Sequence, residues 1–123
     1  MKKLLVSIIF INMLFLNVLA FASPSKEFSH FIVRFETGNA YDITIKKNLL
    51  RWKGIAGEDL NMIIEVPFKH ITLSKNIDIY QWNEKRGYFD TFIVDKSNAV
   101  AVTSTKNANN KEWLVKGKVD FLN

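Results

Sequence analysis

From residue 28 onward, apolar side chains alternate with polar ones at a period of two residues. The alternation is clearest over residues 31–36, 41–46 and 112–121, which are rich in β-branched and aromatic residues. Successive side chains of a β-strand point to opposite faces of a sheet, so this pattern predicts strands with one buried face. Residues 23–123 contain no long segment with the period of an amphipathic helix. The pattern therefore predicts an all-β fold.

Turn-forming residues divide the alternating region into short strands. Clusters of glycine, asparagine and aspartate interrupt it, as at residues 37–39, 54–59 and 83–87. Pro67 either divides two strands or marks a bulge within one long strand, because proline cannot donate a ladder hydrogen bond. An antiparallel up-and-down meander closed into a barrel of about eight strands would leave no exposed edge. We predict strands over residues 28–36, 40–47, 49–54, 61–66, 68–74, 77–82, 88–95, 98–105 and 112–122.

The first 22 residues have the parts of a cleavable helical signal peptide. A start with two lysines precedes an apolar run over residues 4–21, and residues 20–22 fit the A-x-A pattern of a cleavage site. Cleavage after Ala22 would leave residues 23–123 as an exported bacterial domain, periplasmic or secreted, without stable membrane insertion. The alternative is an uncleaved anchor, against which two asparagines in the apolar run argue.

The composition excludes several kinds of site. The 123 residues suffice for one domain and include no cysteine, which rules out disulfides and thiolate metal sites. His30 and His70 have no metal-binding spacing, and no glycine motif for nucleotides occurs, so we expect neither a metal nor a cofactor. The net charge of +5 falls to about +3 without Lys2 and Lys3, from 15 basic and 12 acidic residues. This mild and scattered excess argues against nucleic-acid binding.

Residues 80–95 resemble the core of the MoaF-like domain family. The resemblance lies in Trp82-Asn83-Glu84, in Gly87, in the strand that ends at Asp95, and in the segments 49–52 and 115–119. It covers residues 37–121 and implies that residues 23–123 form a small lipocalin-like (calycin) β-barrel. Such a barrel would hold a small, partly apolar molecule in its cup.

Aromatic residues on the predicted strands are candidates for the wall of such a cup. Rings that carry an N–H or O–H group can pack against a ligand and orient it, although they also fill ordinary cores. Tyr80, Trp82 and Glu84 share a strand parity, so an inward Glu84 could hydrogen-bond or protonate a ligand. An outward Glu84 would be a solvated turn residue facing Lys85 or Arg86. The candidate ligand-binding residues are Tyr41, Arg51, Trp52, Tyr80, Trp82 and Glu84.

Three functions agree with these features. The first is an exported, non-enzymatic protein that binds a small molecule inside the barrel. The second is an interaction module at the cell envelope, which would expose an apolar patch on the order of several hundred Å². The third follows from the resemblance to calycins, which include phenolic acid decarboxylases. It is a small-barrel enzyme with Glu84 as acid or base beside Tyr41, Tyr80 and Arg51.

Overall fold

The computed structural model describes residues 29–123, and the signal peptide predicted for residues 1–22 lies outside this range. Residues 29–123 form one antiparallel sheet of nine strands. All nine predicted strands are present, and each bound lies within two residues of its predicted position. The strands are β1 (Ser29–Phe35), β2 (Ala40–Ile45), β3 (Leu50–Ala56), β4 (Ile63–Val66), β5 (Lys69–Ser74), β6 (Ile77–Asn83), β7 (Phe89–Asp95), β8 (Val100–Lys106) and β9 (Glu112–Phe121). In this part of the chain no helix is long and apolar enough to span a bilayer.

The direction of the strands shows that β4 and β5 are two halves of one interrupted strand. The strand order is β4-β3-β2-β1-β9-β8-β7-β6-β5, and every neighbouring pair is antiparallel. This order requires β4 and β5 to run in the same direction, so the chain passes through Pro67 without reversing. Counted as one strand, they bring the described sheet to the predicted number of eight.

The predicted closure of the barrel is incomplete. In the described sheet β4 pairs with β3 alone and β5 with β6 alone, so the sheet curls into a half-barrel with two edges. The interrupted strand changes partner at Pro67, which has no N–H group to continue the ladder. Beyond this point β5 extends away from the interior, and all six of its residues are exposed.

The inward face of the curled sheet packs into one core. Val33, Leu50 and Phe92 are almost wholly inaccessible to solvent. Phe31 of β1 stacks on Phe92 of β7 with 5.9 Å between ring centroids, so distant parts of the sheet meet across the interior. Burial of a phenylalanine side chain of this kind contributes roughly 1.5–3 kcal/mol. The alternating pattern therefore encodes the core as well as the strands.

The β3–β4 loop folds back against the sheet at one end of the half-barrel. The Gly54 N–H donates to the carbonyl of Met62, and the Gly54 carbonyl accepts from the N–H of Asn61. A Cβ atom at Gly54 would lie 1.8 Å from the carbonyl oxygen of Asp59, so this approach requires glycine. Asn39 Oδ1 accepts from the Glu58 N–H over 3.0 Å and so joins the β1–β2 turn to the loop.

Candidate functional site

A cavity of about 920 Å³ opens at the end of the half-barrel where the β1–β2, β3–β4, β6–β7 and β8–β9 turns lie. We call this cavity the cup. Its volume lies within the range of about 300–1,000 Å³ that is usual for small-molecule sites. All three tryptophans of the chain line it, together with Tyr41 and Tyr88. The core fills the opposite end of the half-barrel. We call a set of polar side chains that line the cup its floor, namely Tyr41, Asp59, Glu84, Arg86 and Asp90.

Glu84 lies at this floor and accepts hydrogen bonds from three side chains. The indole N–H groups of Trp52 and Trp82 both donate to Oε2, over 3.1 and 3.0 Å. Arg86 Nε donates to Oε1 over 2.6 Å. The Glu84 side chain is 2% exposed, so the solvated orientation considered from the sequence is wrong. Its oxygens hold the two rings in place, because buried polar groups need partners.

Asp90 lies beside Glu84 and is also buried. Thr105 Oγ1 donates to Asp90 Oδ1 over 2.5 Å. The carboxyl groups of Asp90 and Glu84 lie within hydrogen-bonding distance of each other. Burial, together with the charge of Glu84, raises the pKa of Asp90 to about 7, against the opposing effects of Thr105 and Arg86. Below about pH 7 the Asp90 carboxyl is therefore mostly protonated.

Arg86 reaches over the floor from the β6–β7 turn and bridges two carboxylates. Besides its bond to Glu84, its Nη1 lies 3.5 Å from Oδ1 of Asp59. Its guanidinium carbon lies 4.5 Å from the ring centroid of Tyr88 and 5.4 Å from that of Trp52. Burial would lower the pKa of Arg86, but the carboxylates of Glu84 and Asp59 raise it. The guanidinium is thus a fixed, neutralised part of the floor.

Tyr41 closes the polar floor on the side of β2. A register shift between Ala40 and Tyr41 interrupts the pairing of β2 with β3, and such bulges re-aim side chains. The Tyr41 hydroxyl donates to Oδ2 of Asp59 over 2.6 Å. Burial, followed by the nearby Asp59 carboxylate, raises the pKa of Tyr41, so its phenol remains a donor.

The structure brings together four of the six candidate residues in the cup. Tyr41, Trp52, Trp82 and Glu84 line it. Arg51 lies outside, with Nε 3.5 Å from Oε1 of Glu65 and a side chain that is 42% exposed. Tyr80 faces inward as predicted, but it belongs to the core and stacks on His70 at 4.6 Å.

Several lining residues were not among the candidates. Asp90 shares the inward parity of β7 with Phe92, a signal that the sequence contained but that does not distinguish a buried aspartate from an outward one. Arg86 follows Glu84 by two residues in a turn, where no periodicity predicts side-chain direction. Asp59 reaches the site through a loop, and no local pattern predicts this.

A second polar cluster, outside the cup, surrounds Asp78. Its Oδ1 accepts from Thr72 Oγ1 over 3.1 Å and lies 2.9 Å from His70 Nε2, while Lys96 Nζ lies 2.9 Å from Oδ2. Burial would raise the pKa of Asp78, but the contacts with His70, Lys96 and Thr72 lower it overall. This cluster ties β5 to β6 near the edge of the sheet. Across residues 29–123, no group of three or more acidic, histidine or cysteine side chains could hold a metal ion.

Comparison with known proteins shows a likeness in fold. No protein-family model matches the chain, and no curated protein matches it. The structure is similar to a crystal structure described as that of "a putative beta-lactamase from Burkholderia vietnamiensis", with a TM-score of 0.73. The match covers 80% of this chain and 97% of that chain at 16% sequence identity. At this identity the likeness shows the fold alone.

Proposed function

We propose that this protein binds a small, partly apolar molecule in the cup and does so without transforming it. The observation that carries the proposal is the cup itself, a hollow of about 920 Å³ whose wall is aromatic and whose floor is polar. Pockets that bind small molecules combine these features, because rings supply contact area and a few buried polar groups fix orientation.

The construction of the floor supports binding over core packing. The sheet could have filled this end with apolar side chains, as it fills the other. Instead, two indoles, a guanidinium and two buried carboxyls surround an open volume, and their hydrogen bonds hold the rings in fixed positions. Preorganised rings lose little conformational freedom when a ligand binds, which favours affinity.

Filling the cup tests this proposal. Val115 lines the cup on β9, and the next residue, Lys116, lies exposed on the other face of the strand. The neutral apolar reporter N-phenyl-1-naphthylamine should bind with saturation and increased emission. Val115→Phe should weaken binding about tenfold, the effect of roughly 1.4 kcal/mol, whereas Lys116→Phe should leave it within about twofold. Absent saturation, or equal effects of the two variants, would exclude the cup as the site.

We also propose that the domain acts outside the cytoplasm and belongs with the calycin barrels of MoaF-like type. The first part rests on the leader over residues 1–22, and the second on the motif around Trp82 and on the half-barrel. Mass spectrometry of the protein recovered from the periplasm and medium of an expressing bacterium tests export. A mature N-terminus at Ser23 is the expected result, and an intact N-terminus in the cytoplasm would contradict it.

A second candidate function is docking to another envelope protein through β5. The observation in its favour is the exposure of Ile71 and Leu73, at 60% and 66%, on an edge strand. Unpaired edges and apolar side chains together are typical of contact surfaces. A photo-reactive residue at position 71 should then cross-link to one partner in the envelope, unlike a residue at exposed Glu58. The absence of a product specific to position 71 would eliminate this function.

The decarboxylase-like alternative receives no support from the site. It requires Tyr41, Tyr80, Arg51 and Glu84 to meet inside the cup. Arg51 lies outside the cup, and the arginine inside it, Arg86, is already paired with Glu84 and Asp59. The oxygens of Glu84 are likewise taken up by protein donors.

A further inference from the structure

The charged groups that line the cup are mostly of one sign. Among residues 29–123, four carboxyl groups and one guanidinium line it, without any lysine or histidine. The whole chain shows the opposite bias, with 17 basic and 12 acidic residues. The cup is thus an acidic region within a basic protein. The lining charges are Glu58, Asp59, Glu84, Asp90 and Arg86.

The single cation that residues 29–123 place in the cup is not available to an anionic ligand. Arg86 contacts Glu84 over 2.6 Å and Asp59 over 3.5 Å. With Asp90 protonated, these three groups carry a net charge of −1, from two carboxylates and one guanidinium. Ionisation of Asp90 would bring this to −2. An entering anion would meet this negative field at reduced solvent screening, which makes the interaction strongly unfavourable.

The aromatic wall already accommodates a cation. The guanidinium of Arg86 lies over the rings of Tyr88 and Trp52, and Lys111 Nζ lies 5.1 Å from the ring centroid of Trp113 at the rim. Ring faces attract cations because of their quadrupole, and a desolvated site strengthens this attraction. The same rings offer apolar area to the body of a ligand.

We propose that the molecule held in the cup is an organic cation, a protonated amine on an apolar or aromatic body. Its ammonium group lies toward the carboxyl group of Asp90, and its body packs against Trp113 and Tyr88. This inference rests on the proposed binding function and adds the charge of the ligand. The cavity defines the site, and its acidic lining decides which ligands enter.

Binding of such a cation is coupled to the proton on Asp90. The groups that face Asp90 are Glu84 and Arg86 from the β6–β7 turn, Tyr41 from β2 and Thr105 from β8. A ligand ammonium adds a positive charge to this set and favours the ionised carboxylate. At pH 6.5, below its raised pKa of about 7, the Asp90 carboxyl is mostly protonated. Amine binding should therefore release most of that proton.

Three probes of matched shape and different charge test the inference. Protein purified from expression of the full chain is titrated with 3-phenylpropylamine, 3-phenylpropanol and 3-phenylpropionate, and tryptophan fluorescence is followed. The amine should bind about tenfold or more tightly than the propionate, and more tightly than the alcohol. Calorimetry at pH 6.5 in phosphate and in PIPES, two net-anionic buffers with different enthalpies of ionisation, should show proton release with the amine and none with the alcohol.

Two variants separate the role of Asp90 from a general effect of charge. Asp90→Asn should abolish the proton release and weaken amine binding about tenfold, with the alcohol affinity changed by less than about twofold. The control Asp120→Asn removes an exposed carboxylate outside the cup and should change neither quantity. Tighter binding of the alcohol or the propionate would overturn the inference and leave the binding function standing. If no probe binds, the inference fails, and the binding function is then decided by the N-phenyl-1-naphthylamine titration.

Discussion

Removal of the Glu84 carboxylate should destabilise the fold by about 3.5 kcal/mol. Glu84→Ala deprives the indole N–H groups of Trp52 and Trp82 of their acceptor, at a cost of about 1 kcal/mol each. The charge-assisted bond from Arg86 adds about 1.5 kcal/mol. These are the low ends of the usual ranges, because water can reach the freed donors through the open cup.

Urea unfolding followed by circular dichroism measures this loss. A decrease of about 3.5 kcal/mol lowers the midpoint by roughly 1–3.5 M, given the slopes of small domains. Glu65→Ala is the matched control, since Glu65 pairs with Arg51 on the outer surface and such pairs contribute about 0–1 kcal/mol. A Glu84→Ala midpoint equal to that of Glu65→Ala would show that Glu84 does not organise the floor of the cup.

Three further predictions concern pH and loop geometry. The lowered pKa of Asp78 contributes stability above about pH 4, and this stability is lost as the pH falls through the pKa of Asp78 in the folded state. The decrease in Tm between pH 5 and pH 3 should therefore be smaller for Asp78→Asn than for the parent protein. An equal decrease in the two proteins would contradict this. The raised pKa of Asp90 opposes folding as the pH rises from about 4 to 7. The Tm of Asp90→Asn minus that of the parent protein should therefore become more positive from pH 5 to pH 8. A Tm difference that stays constant over this range would contradict the burial of Asp90 beside Glu84. Gly54→Ala should displace the loop that carries Asp59 and lower Tm by several degrees, roughly the effect of 1–2 kcal/mol; a Tm equal to that of the parent would show that the loop does not pack against β3.

The strands could be predicted from the sequence because their period is local. Alternation identifies the buried face of β1 or β7 from a few neighbouring residues, and turn residues give the bounds. Pro67 was recognised as an interruption for the same reason. The incomplete closure could not be predicted, because it depends on which partner each half of the interrupted strand finds in three dimensions.

The cup was predicted less completely because strand parity gives the face of a residue and not its depth. Tyr80 and Trp82 share an inward face, yet Trp82 lines the cup while Tyr80 lies in the filled core. Depth is set by the tilt and stagger of strands in a curled sheet. Arg51 lies on the outer face of β3, where it pairs with Glu65, and the inward position belongs to its neighbour Trp52.

The polar floor is assembled from separate parts of the chain. Asp59 comes from a loop that glycine allows to fold back, and Arg86 comes from a turn. Their contact with Glu84 and Asp90 depends on tertiary placement, for which the sequence carries no periodic signal. The sequence therefore predicted the aromatic wall better than the charges that decide what enters it.

The most direct test of a hollow, ligand-binding cup is the response of the three indole N–H resonances in ¹H–¹⁵N NMR spectra. Titration with mixtures of small aromatic amines, alcohols and acids should shift the resonances of Trp52, Trp82 and Trp113, because all three rings line the cup. Backbone resonances of the exposed strand β5 should stay unchanged. Indole resonances that respond to none of the compounds, or shifts confined to β5, would contradict the account.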